Sequence, residues 1–245
     1  MKPEIYILAN GSMAQALACG LREDYKVFIV GRDPQKLQKL SSSGFETLLY
    51  EEFELEGRDV ILAFKPYALK SVAEILRGRA RVVLSVLAQV DFAALSCIKA
   101  QNVVRIMPNI AAKYRASTTP CVFLNSKFKD EILRLVRSFG SVYELGDERD
   151  MASAMALSGC APAFLALVAE ALSNGGVYGG LQKNLSAELV RGLFQSFSAL
   201  LNHEHPALIK ENICSPAGVT IRGVKALEDR AVRAAFIEAV RVSSQ

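Results

Sequence analysis

The sequence predicts an α/β fold over residues 1–148 and an all-helical fold over residues 149–245. Up to about Leu145, short runs rich in β-branched residues alternate with helical patterns, as in repeated βαβ units. Beyond Leu145 the patterns are helical, and no segment is a convincing strand. The composition, 51% hydrophobic and 22% charged over 245 residues, is typical of a globular chain of one or two domains.

In the first region, predicted strands are separated by predicted helices. We therefore expect a parallel sheet covered by helices. Asp33 is expected to cap the second helix. The predicted strands are Ile5–Ala9, Lys26–Val30, Val60–Ala63, Arg81–Ser85, Val103–Met107, Thr119–Leu124 and Ser141–Leu145. The predicted helices are Met13–Leu21, Pro34–Leu40, Ala68–Leu76 and Phe128–Ser138.

The helical region carries more apolar residues than its thin helices can hide alone. Packing inside the domain is one explanation, and a helical dimer interface is an equally good one. The predicted helices are Arg149–Leu157, Phe164–Gly175, Ser186–Leu201, Ala207–Ile213, Gly218–Glu228 and Arg230–Val242. The apolar positions include Leu165, Val168, Leu172, Leu189, Leu193, Phe197 and Leu200.

The first βα junction reads "ILANGSMAQAL". A dinucleotide site needs a strand, a tight turn, a glycine that lets the backbone approach a pyrophosphate, and a helix whose first amides face that anion. The glycine positions of G-x-G-x-x-G/A read Ala9, Gly11 and Ala14, and alanine at the first one requires a turn without positive φ. A generic βα turn is the alternative. We expect a Rossmann-type NAD(P) site that includes Ala9, Asn10, Gly11, Ser12 and Met13.

The second predicted strand leads into "IVGRDPQKL". An NAD site usually has an acidic residue there to hold the ribose hydroxyls. Gly31 and Arg32 take that place instead, and a guanidinium suits a 2′-phosphate. Lys36, one helical turn further on, is a second candidate cation. We expect NADPH to be preferred, with NADH as the alternative cofactor; a solvated turn arginine would imply no preference.

Five further segments follow in order: "AFKPYAL", "VVLSVLAQV", "VVRIMPNIAA", "MALSGCAPAFL" and "ICSPAGVTIRGVKALE". In order and spacing they resemble the pyrroline-5-carboxylate reductases, the enzymes of the last step in proline synthesis. The resemblance spans nearly the whole chain. Its most specific parts are Arg105 to Asn109 and Ser215 to Thr220.

The resemblance implies an enzyme that reduces 1-pyrroline-5-carboxylate to L-proline by hydride transfer from NAD(P)H. It also implies that the helical domain interlocks with its partner's to form a homodimer, often assembled into larger rings. The active site would lie between the nucleotide domain of one subunit and helical segments of the dimer. Hydride transfer suits this arrangement, because the nicotinamide lies at the carboxyl ends of the strands and a second element covers it.

Two strand ends in the first region are candidate cofactor contacts. Ala63, Lys65 and Pro66 end one strand, where the chain can pass beside the cofactor ribose; a plain strand terminator would explain Pro66 but not its location. Asn109 ends another strand and can offer amide contacts to the nicotinamide or its ribose. An Asx turn that caps the loop explains Asn109 equally well.

Two segments of the helical half are candidate substrate contacts. "SPAGVT" resembles the family's SPGG[TA]T, so its amides and the Thr220 hydroxyl are expected to bind a carboxylate with help from a helix dipole. Thr220 is the predicted catalytic residue, by orienting the substrate and not by ionising. "SGCAPA" resembles SGSGPA and is expected to interrupt a helix; a Gly/Pro kink is the alternative. The substrate residues are Ser158, Gly159, Ser215, Ala217, Gly218, Val219 and Thr220.

Six positions depart from residues that are common in the family. Ala9, Cys160, Ala161 and Ala217 replace Gly, Ser, Gly and Gly, and Gln89 and Ala112 replace Gly and Pro. Each change is small, so the pocket can survive with tighter walls. The chemistry needs little acid–base machinery, because a cyclic imine reacts readily as an iminium and mainly requires positioning.

Other features limit the function classes. A net charge of +4 without an aromatic-interleaved basic run argues against nucleic-acid binding. The start lacks a signal-peptide pattern, and we expect no run of about 18 uncharged apolar residues, hence no membrane association and a cytoplasmic protein. The cysteines are odd in number and widely spaced, which predicts buried reduced thiols and no metal. They are Cys19, Cys97, Cys121, Cys160 and Cys214.

Two alternatives remain at the level of the sequence. One is an NADPH-dependent reductase of another small cyclic imine or a 2-oxo acid. The other is a non-catalytic NADP(H)-sensing dimer that kept the scaffold and lost turnover through Ala9 and Ala161.

Overall fold

A computed structural model describes residues 2–245, and the chain divides into two compact units. The first runs to Gly159 and the second from Cys160 to Ser243, apart from the final residues. The predicted domain boundary after residue 148 falls inside the first unit by this division and stays a prediction.

The first unit is built on one twisted sheet, whose strand order is β3-β2-β1-β4-β5-β6-β7-β8. Neighbouring strands run parallel, except that β7 is antiparallel to β6. The α/β expectation is thus confirmed. The strands are β1 Glu4–Leu8, β2 Lys26–Gly31, β3 Glu46–Leu49, β4 Asp59–Leu62, β5 Ala80–Ser85, β6 Ala100–Ile106, β7 Ser117–Phe123 and β8 Gly140–Glu144.

The sheet differs from the sequence-based expectation in two ways. Strand β3 was not predicted, because it is a four-residue edge strand that pairs only with β2. The expectation of a wholly parallel sheet is wrong for β6 and β7. The connection from Ile106 to Ser117 holds only a 3-10 helix, Ile110–Tyr114, and a parallel return needs a longer crossover.

Apolar residues on both faces of the sheet form the core. Ile5 and Ile7 of β1 belong to one buried cluster, and Tyr6 and Leu8 belong to the other, as alternation along a strand requires. Helices cover these clusters. The helices of this part are α1 Ser12–Leu21, α2 Pro34–Ser42, α3 Leu69–Ile75, α4 Phe92–Leu95 and α5 Lys129–Arg137.

The chain leaves the sheet through α6, Met151–Met155, which runs into a π-helical turn, Ala156–Cys160. At "SGCAPA", where an interruption was expected, the helical run thus widens to a π turn and does not break. Met151, Ala156 and Ser158 are buried. This segment thus packs on the first unit before the second unit begins.

One helical run in the described residues, Glu148–Tyr178, is long and apolar enough to cross a membrane, with a mean hydropathy of 1.8. The expectation that no such run exists is wrong by this criterion, which considers length and composition alone. Core helices of soluble proteins meet it too. Here Met151, Ala156 and Ser158, near the start of the run, are buried, and the Ser158 hydroxyl donates to the Met107 carbonyl at 3.4 Å.

Residues 160–243 form helices joined by short turns and contain no strand, as predicted. Its two long helices pack closely at Gly176, where any side chain would overlap the Ser186 hydroxyl. That hydroxyl donates to the Ser173 carbonyl at 2.7 Å. The helices are α7 Ala161–Tyr178, α8 Lys183–Leu201, α9 Pro206–Ile213, α10 Val219–Glu228 and α11 Val232–Ser243.

Most of the apolar residues named above for this unit are not packed within one chain. Six of the seven named above are 41–55% exposed, so the explanation by packing inside the domain is wrong for them. A large exposed apolar surface is typical of an interface. The six are Leu165, Leu172, Leu189, Leu193, Phe197 and Leu200.

All five cysteines are free. Cys121 is buried, and burial raises the pKa of its thiol to about 12. The prediction of buried thiols is wrong for Cys97, which is exposed. Residues 2–245 contain no group of three or more His, Cys, Asp or Glu side chains arranged to hold a metal.

Candidate cofactor and substrate sites

A pocket of about 480 Å³ opens at the carboxyl ends of β1, β2 and β4. Strand β1 lies between β2 and β4, so the chain crosses to opposite sides of the sheet here, the place where doubly wound folds bind nucleotides. Of the predicted cofactor residues, seven line the pocket: Ala9, Asn10, Gly11, Arg32, Lys36, Ala63 and Lys65.

The turn after β1 carries backbone strain. Ala9 has a φ of +151°, a region that glycine tolerates and that alanine rarely adopts. The expectation that Ala9 avoids positive φ is therefore wrong. The turn is held where it continues into α1, since the side-chain Nε2 of Gln15 donates to the Asn10 carbonyl at 2.9 Å.

The amino end of α1 is open toward this pocket. Gly11 is the N-cap residue, and no side chain caps the helix. A Cβ added at Gly11 would meet nothing within 4 Å. Uncapped amides and open space are what a pyrophosphate requires, and the helix dipole favours an anion there. These residues fit a dinucleotide.

The end of β2 places two cations in the pocket. Arg32 Nη2 donates to Ser71 Oγ at 3.3 Å, and Lys36 Nζ lies 3.5 Å from Asp33 Oδ2. Asp33 Oδ1 accepts from the Gln35 and Lys36 amides, which confirms it as the N-cap of α2. The hydrogen bond from the Lys36 backbone amide is the main reason that the pKa of Asp33 lies below its usual value. Asp33 is thus engaged by its own helix.

Four predicted cofactor residues lie outside the pocket lining. Ser12 and Met13 are in the first turn of α1, where Met13 packs against the core. Pro66 begins a 3-10 turn, Pro66–Ala68. Asn109 follows β6, on the far side of β4 and β5 from the Arg32 end of the sheet. Their cofactor contacts stay predictions.

Asn109 joins the end of β6 to the π turn. Its Oδ1 accepts from the Ala111 amide at 3.0 Å, as in an Asx cap, and its Nδ2 donates to the Ser158 carbonyl at 2.9 Å. Ser158 is only 4% exposed. The Asx-turn interpretation of Asn109 thus has a direct geometric basis, and the position of Ser158 and Gly159 is set by this contact.

Arg105, in the same specific segment, is buried and forms an ion pair with Glu148. Its Nη1 lies 2.8 Å from Glu148 Oε1, and that oxygen also accepts from the Phe92 amide at 2.8 Å. Removing one partner of a buried pair leaves an uncompensated charge. The pair therefore ties the end of β6 to the start of the helical run.

In the second unit, the predicted carboxylate site is a turn followed by a helix. The Gly218 amide donates to the Ser215 carbonyl at 3.1 Å, and Ala217 lies in the left-handed region at a φ of +56°. Gly218 is the N-cap of α10, and no side chain caps that helix. Thr220 is half-buried in its first turn. Ser215, Ala217, Gly218, Val219 and Thr220 are thus adjacent, as predicted.

Three of the family departures share one property. Ala9, Gln89 and Ala217 stand where the family commonly has glycine, and all three have positive φ, with Gln89 at +58°. The backbone conformation that favours glycine is present at all three positions, although none of them is a glycine.

Sequence reasoning missed three aromatic residues of the pocket, Tyr50, Phe64 and Tyr67. Tyr50 follows the unpredicted strand β3, so nothing indicated that it returns to the nucleotide side. Tyr67 lines the same pocket and is 89% exposed. Tyr67 is part of "AFKPYAL". Its position between the end of a predicted strand and a predicted helix could have indicated that it lies beside the cofactor.

The doubly wound sheet, the open amino end of α1 and the cations after β2 define a Rossmann-type protein that binds an NADP-class dinucleotide. Residues 4–89 match a family model described as NADP oxidoreductase, coenzyme F420-dependent. Residues 148–245 match a model described as pyrroline-5-carboxylate reductase dimerisation.

Relatives cover both halves together. A pyrroline-5-carboxylate reductase of Helicobacter pylori is 36% identical, over 98% of this chain and 96% of its own. One from Thermus thermophilus is 33% identical, over 94% and 90%. The solved reductase of Streptococcus pyogenes has 26% identity and a TM-score of 0.89, over 98% and 96%. The chain belongs to the pyrroline-5-carboxylate reductase family.

Proposed function

We propose that this protein reduces 1-pyrroline-5-carboxylate to L-proline, with NADPH as the preferred hydride donor and NADH as the alternative. The observation that carries the proposal is the likeness to curated reductases over 94–98% of the chain, which includes the nucleotide half and the helical half. The pocket with Arg32 adds a physical reason for the 2′-phosphorylated cofactor.

The first unit supplies the cofactor site. The β1–α1 turn and the free amides of α1 hold the pyrophosphate, and Arg32 with Lys36 holds the 2′-phosphate. Ala63, Lys65 and Pro66 border the ribose side, and Asn109 keeps the end of β6 in place beside the nicotinamide. This assignment is supported by the shared pocket of seven of these residues.

The second unit supplies the substrate carboxylate site. The amides at the start of α10 and the Thr220 hydroxyl bind the carboxylate, with Ser215, Ala217, Gly218 and Val219 forming the turn. The uncapped α10 amino end and the half-buried Thr220 support this role. Ser158 and Gly159, in the π turn at the end of the first unit, are further proposed substrate contacts.

Bound NADPH supplies the hydride that forms the new C–H bond at the imine carbon, while the imine nitrogen gains or already carries the proton. The chain's own residues bind the carboxylate, orient the ring and limit water access. No strong proton donor is required of them, since the substrate reacts as an iminium. Thr220 therefore acts by orientation.

The protein acts as a homodimer, consistent with the family model for its helical half. We extend the proposal to a larger ring of dimers, because Phe236, Ile237 and Val242 of α11 offer a second exposed apolar surface. We also propose a cytoplasmic location, which five unpaired cysteines support.

The test follows NADPH absorbance with 1-pyrroline-5-carboxylate and then with its six-membered homologue. We expect faster oxidation with the five-membered imine. Faster oxidation with the homologue, or with a 2-oxo acid, would assign another substrate. Tight NADPH binding without oxidation by any cyclic imine would instead support the non-catalytic dimer.

A further inference from the structure

Arg32 is held on two sides by side chains from other elements. Its guanidinium carbon lies 5.8 Å from the centroid of the Tyr50 ring, in the 3-10 helix that follows β3. Its Nη2 donates to Ser71 Oγ at 3.3 Å, on α3. Three separate elements therefore converge on one guanidinium.

The Ser71 hydroxyl is oriented for this contact. Its single proton goes to the Ala68 carbonyl, at 3.0 Å. A hydroxyl has one proton and two lone pairs, so the oxygen that faces Arg32 is an acceptor. Ser71 thus receives one N–H of Arg32 and leaves the other donors of the fork free.

The Tyr50 side provides a rigid, neutral wall. Tyr50 is 7% exposed, and burial raises the pKa of its hydroxyl to about 12 although the charge of Arg32 acts in the opposite direction. The ring therefore stays neutral at physiological pH. A cation near an aromatic ring within about 6 Å is attracted by the ring's quadrupole.

Neither partner neutralises Arg32. Within residues 2–245 Arg32 forms no ion pair, whereas Lys36 lies beside Asp33 and its side chain is 68% exposed. A guanidinium that is already ordered loses less rotamer entropy when it binds a phosphate. Arg32 is thus a prearranged charge that Tyr50 and Ser71 contact, whereas Lys36 is paired with Asp33.

We propose that Tyr50 and Ser71 are positioning residues that set the preference for the 2′-phosphorylated cofactor by holding Arg32. This inference rests on the proposed role of Arg32 and adds the two residues that orient it. Part of the cofactor specificity would then depend on the 3-10 helix after β3, which holds Tyr50, and on α3, which holds Ser71. Neither element belongs to the two nucleotide-binding motifs.

The test measures binding to the full-length protein by calorimetry, with adenosine 2′,5′-bisphosphate and AMP as probes. We expect Tyr50→Leu and Ser71→Ala each to weaken binding of the bisphosphate about three- to tenfold. Binding of AMP should change less than twofold. The ratio of kcat/KM for NADPH to that for NADH should fall by the same factor.

Matched controls separate positioning from stability. Phe53 is a buried aromatic residue beside another arginine, Arg58, at 5.2 Å, and it does not line the pocket. Ser96 donates to the carbonyl three residues earlier, as Ser71 does. Phe53→Leu and Ser96→Ala should leave the bisphosphate-to-AMP ratio unchanged even if they lower the melting temperature.

Repeating both substitutions in a protein that carries Arg32→Gln separates the proposed role of Arg32 from the positioning role of Tyr50 and Ser71. There, Tyr50→Leu and Ser71→Ala should have no further effect on the ratio. If Arg32→Gln alone leaves the ratio unchanged, the role of Arg32 fails and this inference fails with it. If Arg32→Gln lowers the ratio but Tyr50→Leu and Ser71→Ala match their controls, only the positioning role is overturned.

Discussion

Three of the positions that depart from a common family glycine occupy backbone conformations that favour glycine. Ala9, Gln89 and Ala217 all have positive φ, and a left-handed conformation costs roughly 1–2 kcal/mol for a residue with a Cβ. The surrounding turns are held by hydrogen bonds, such as Gly218 to Ser215. The protein therefore carries strain at its proposed cofactor and substrate turns.

Ala217→Gly should relieve this strain. We expect the free energy of unfolding to rise by about 0.5–1 kcal/mol, since part of the gain is offset by the greater unfolded-state entropy of glycine. Thermal or denaturant unfolding measures it. The control is Ala226→Gly inside α10, which should destabilise. Lower stability of Ala217→Gly would show that the turn is unstrained.

Arg32→Asp should shift the preference from NADPH towards NADH. The change removes the cation proposed for the 2′-phosphate. It also places a second carboxylate, next to Asp33, where it would repel that phosphate. The measurement compares kcat/KM for both cofactors in the wild type and the variant. An unchanged ratio would contradict the assignment of Arg32.

Thr220→Val keeps the shape of the side chain and removes the hydrogen bond that we propose to the substrate carboxylate. Such a bond contributes about 1.5–3 kcal/mol, so kcat/KM for the imine should fall roughly 10- to 150-fold. NADPH affinity and the shape of the pH profile should change little. Loss of thermal stability with normal kinetics would instead make Thr220 a structural helix-start residue.

At the scale of elements, α1 is positioned by one close approach. A Cβ at Gly20 would overlap the Ala112 carbonyl of the 3-10 helix Ile110–Tyr114, and also Phe139. Gly20 thereby lets α1 lie against the loop that follows β6. The same contact places Ala112, one of the family departures, in full burial.

Gly20→Ala should destabilise the protein despite the better helix propensity of alanine. Overpacking costs typically 1–3 kcal/mol, which exceeds a propensity gain of about 1 kcal/mol. Gly223→Ala, in α10 with nothing within 4 Å of its Cβ, is the control and should not destabilise. A Gly20→Ala variant as stable as wild type would mean that the loop moves aside freely.

At the scale of the whole molecule, α8 presents one apolar stripe. Leu189, Leu193, Phe197 and Leu200 recur at helical spacing and are 41–55% exposed. A stripe of this kind is buried when helices of two subunits pack. We therefore expect the homodimer to cover this surface.

Leu193→Asp should dissociate the dimer, because it places a charge in the apolar stripe. Sedimentation at micromolar concentration should show a dimer for the wild type and a monomer for the variant. Gln38→Asp adds the same charge on exposed α2 and should remain dimeric. A monomeric wild-type protein would contradict this assignment of the stripe.

Much of the fold followed from periodicity, and less of the site did. The strands next to the first βα turn and the Asp33 cap were predictable, because local patterns specify them. The short edge strand β3 and the reversed β7 were not, since they depend on pairing partners and on a connection too short for a crossover helix. Tyr50 was missed for the same reason.

The sequence alone determined the two-part α/β and helical organisation, the family, and the position of Arg32 after the second strand. These features are encoded by residues close together in the chain. Only the tertiary structure decided that Tyr50 and Ser71 hold Arg32, that Asn109 joins Ser158, and that Ala9 adopts positive φ. The contacts join residues that are distant in sequence, and the conformation of Ala9 is imposed by the packing around it. Local sequence patterns therefore do not predict them.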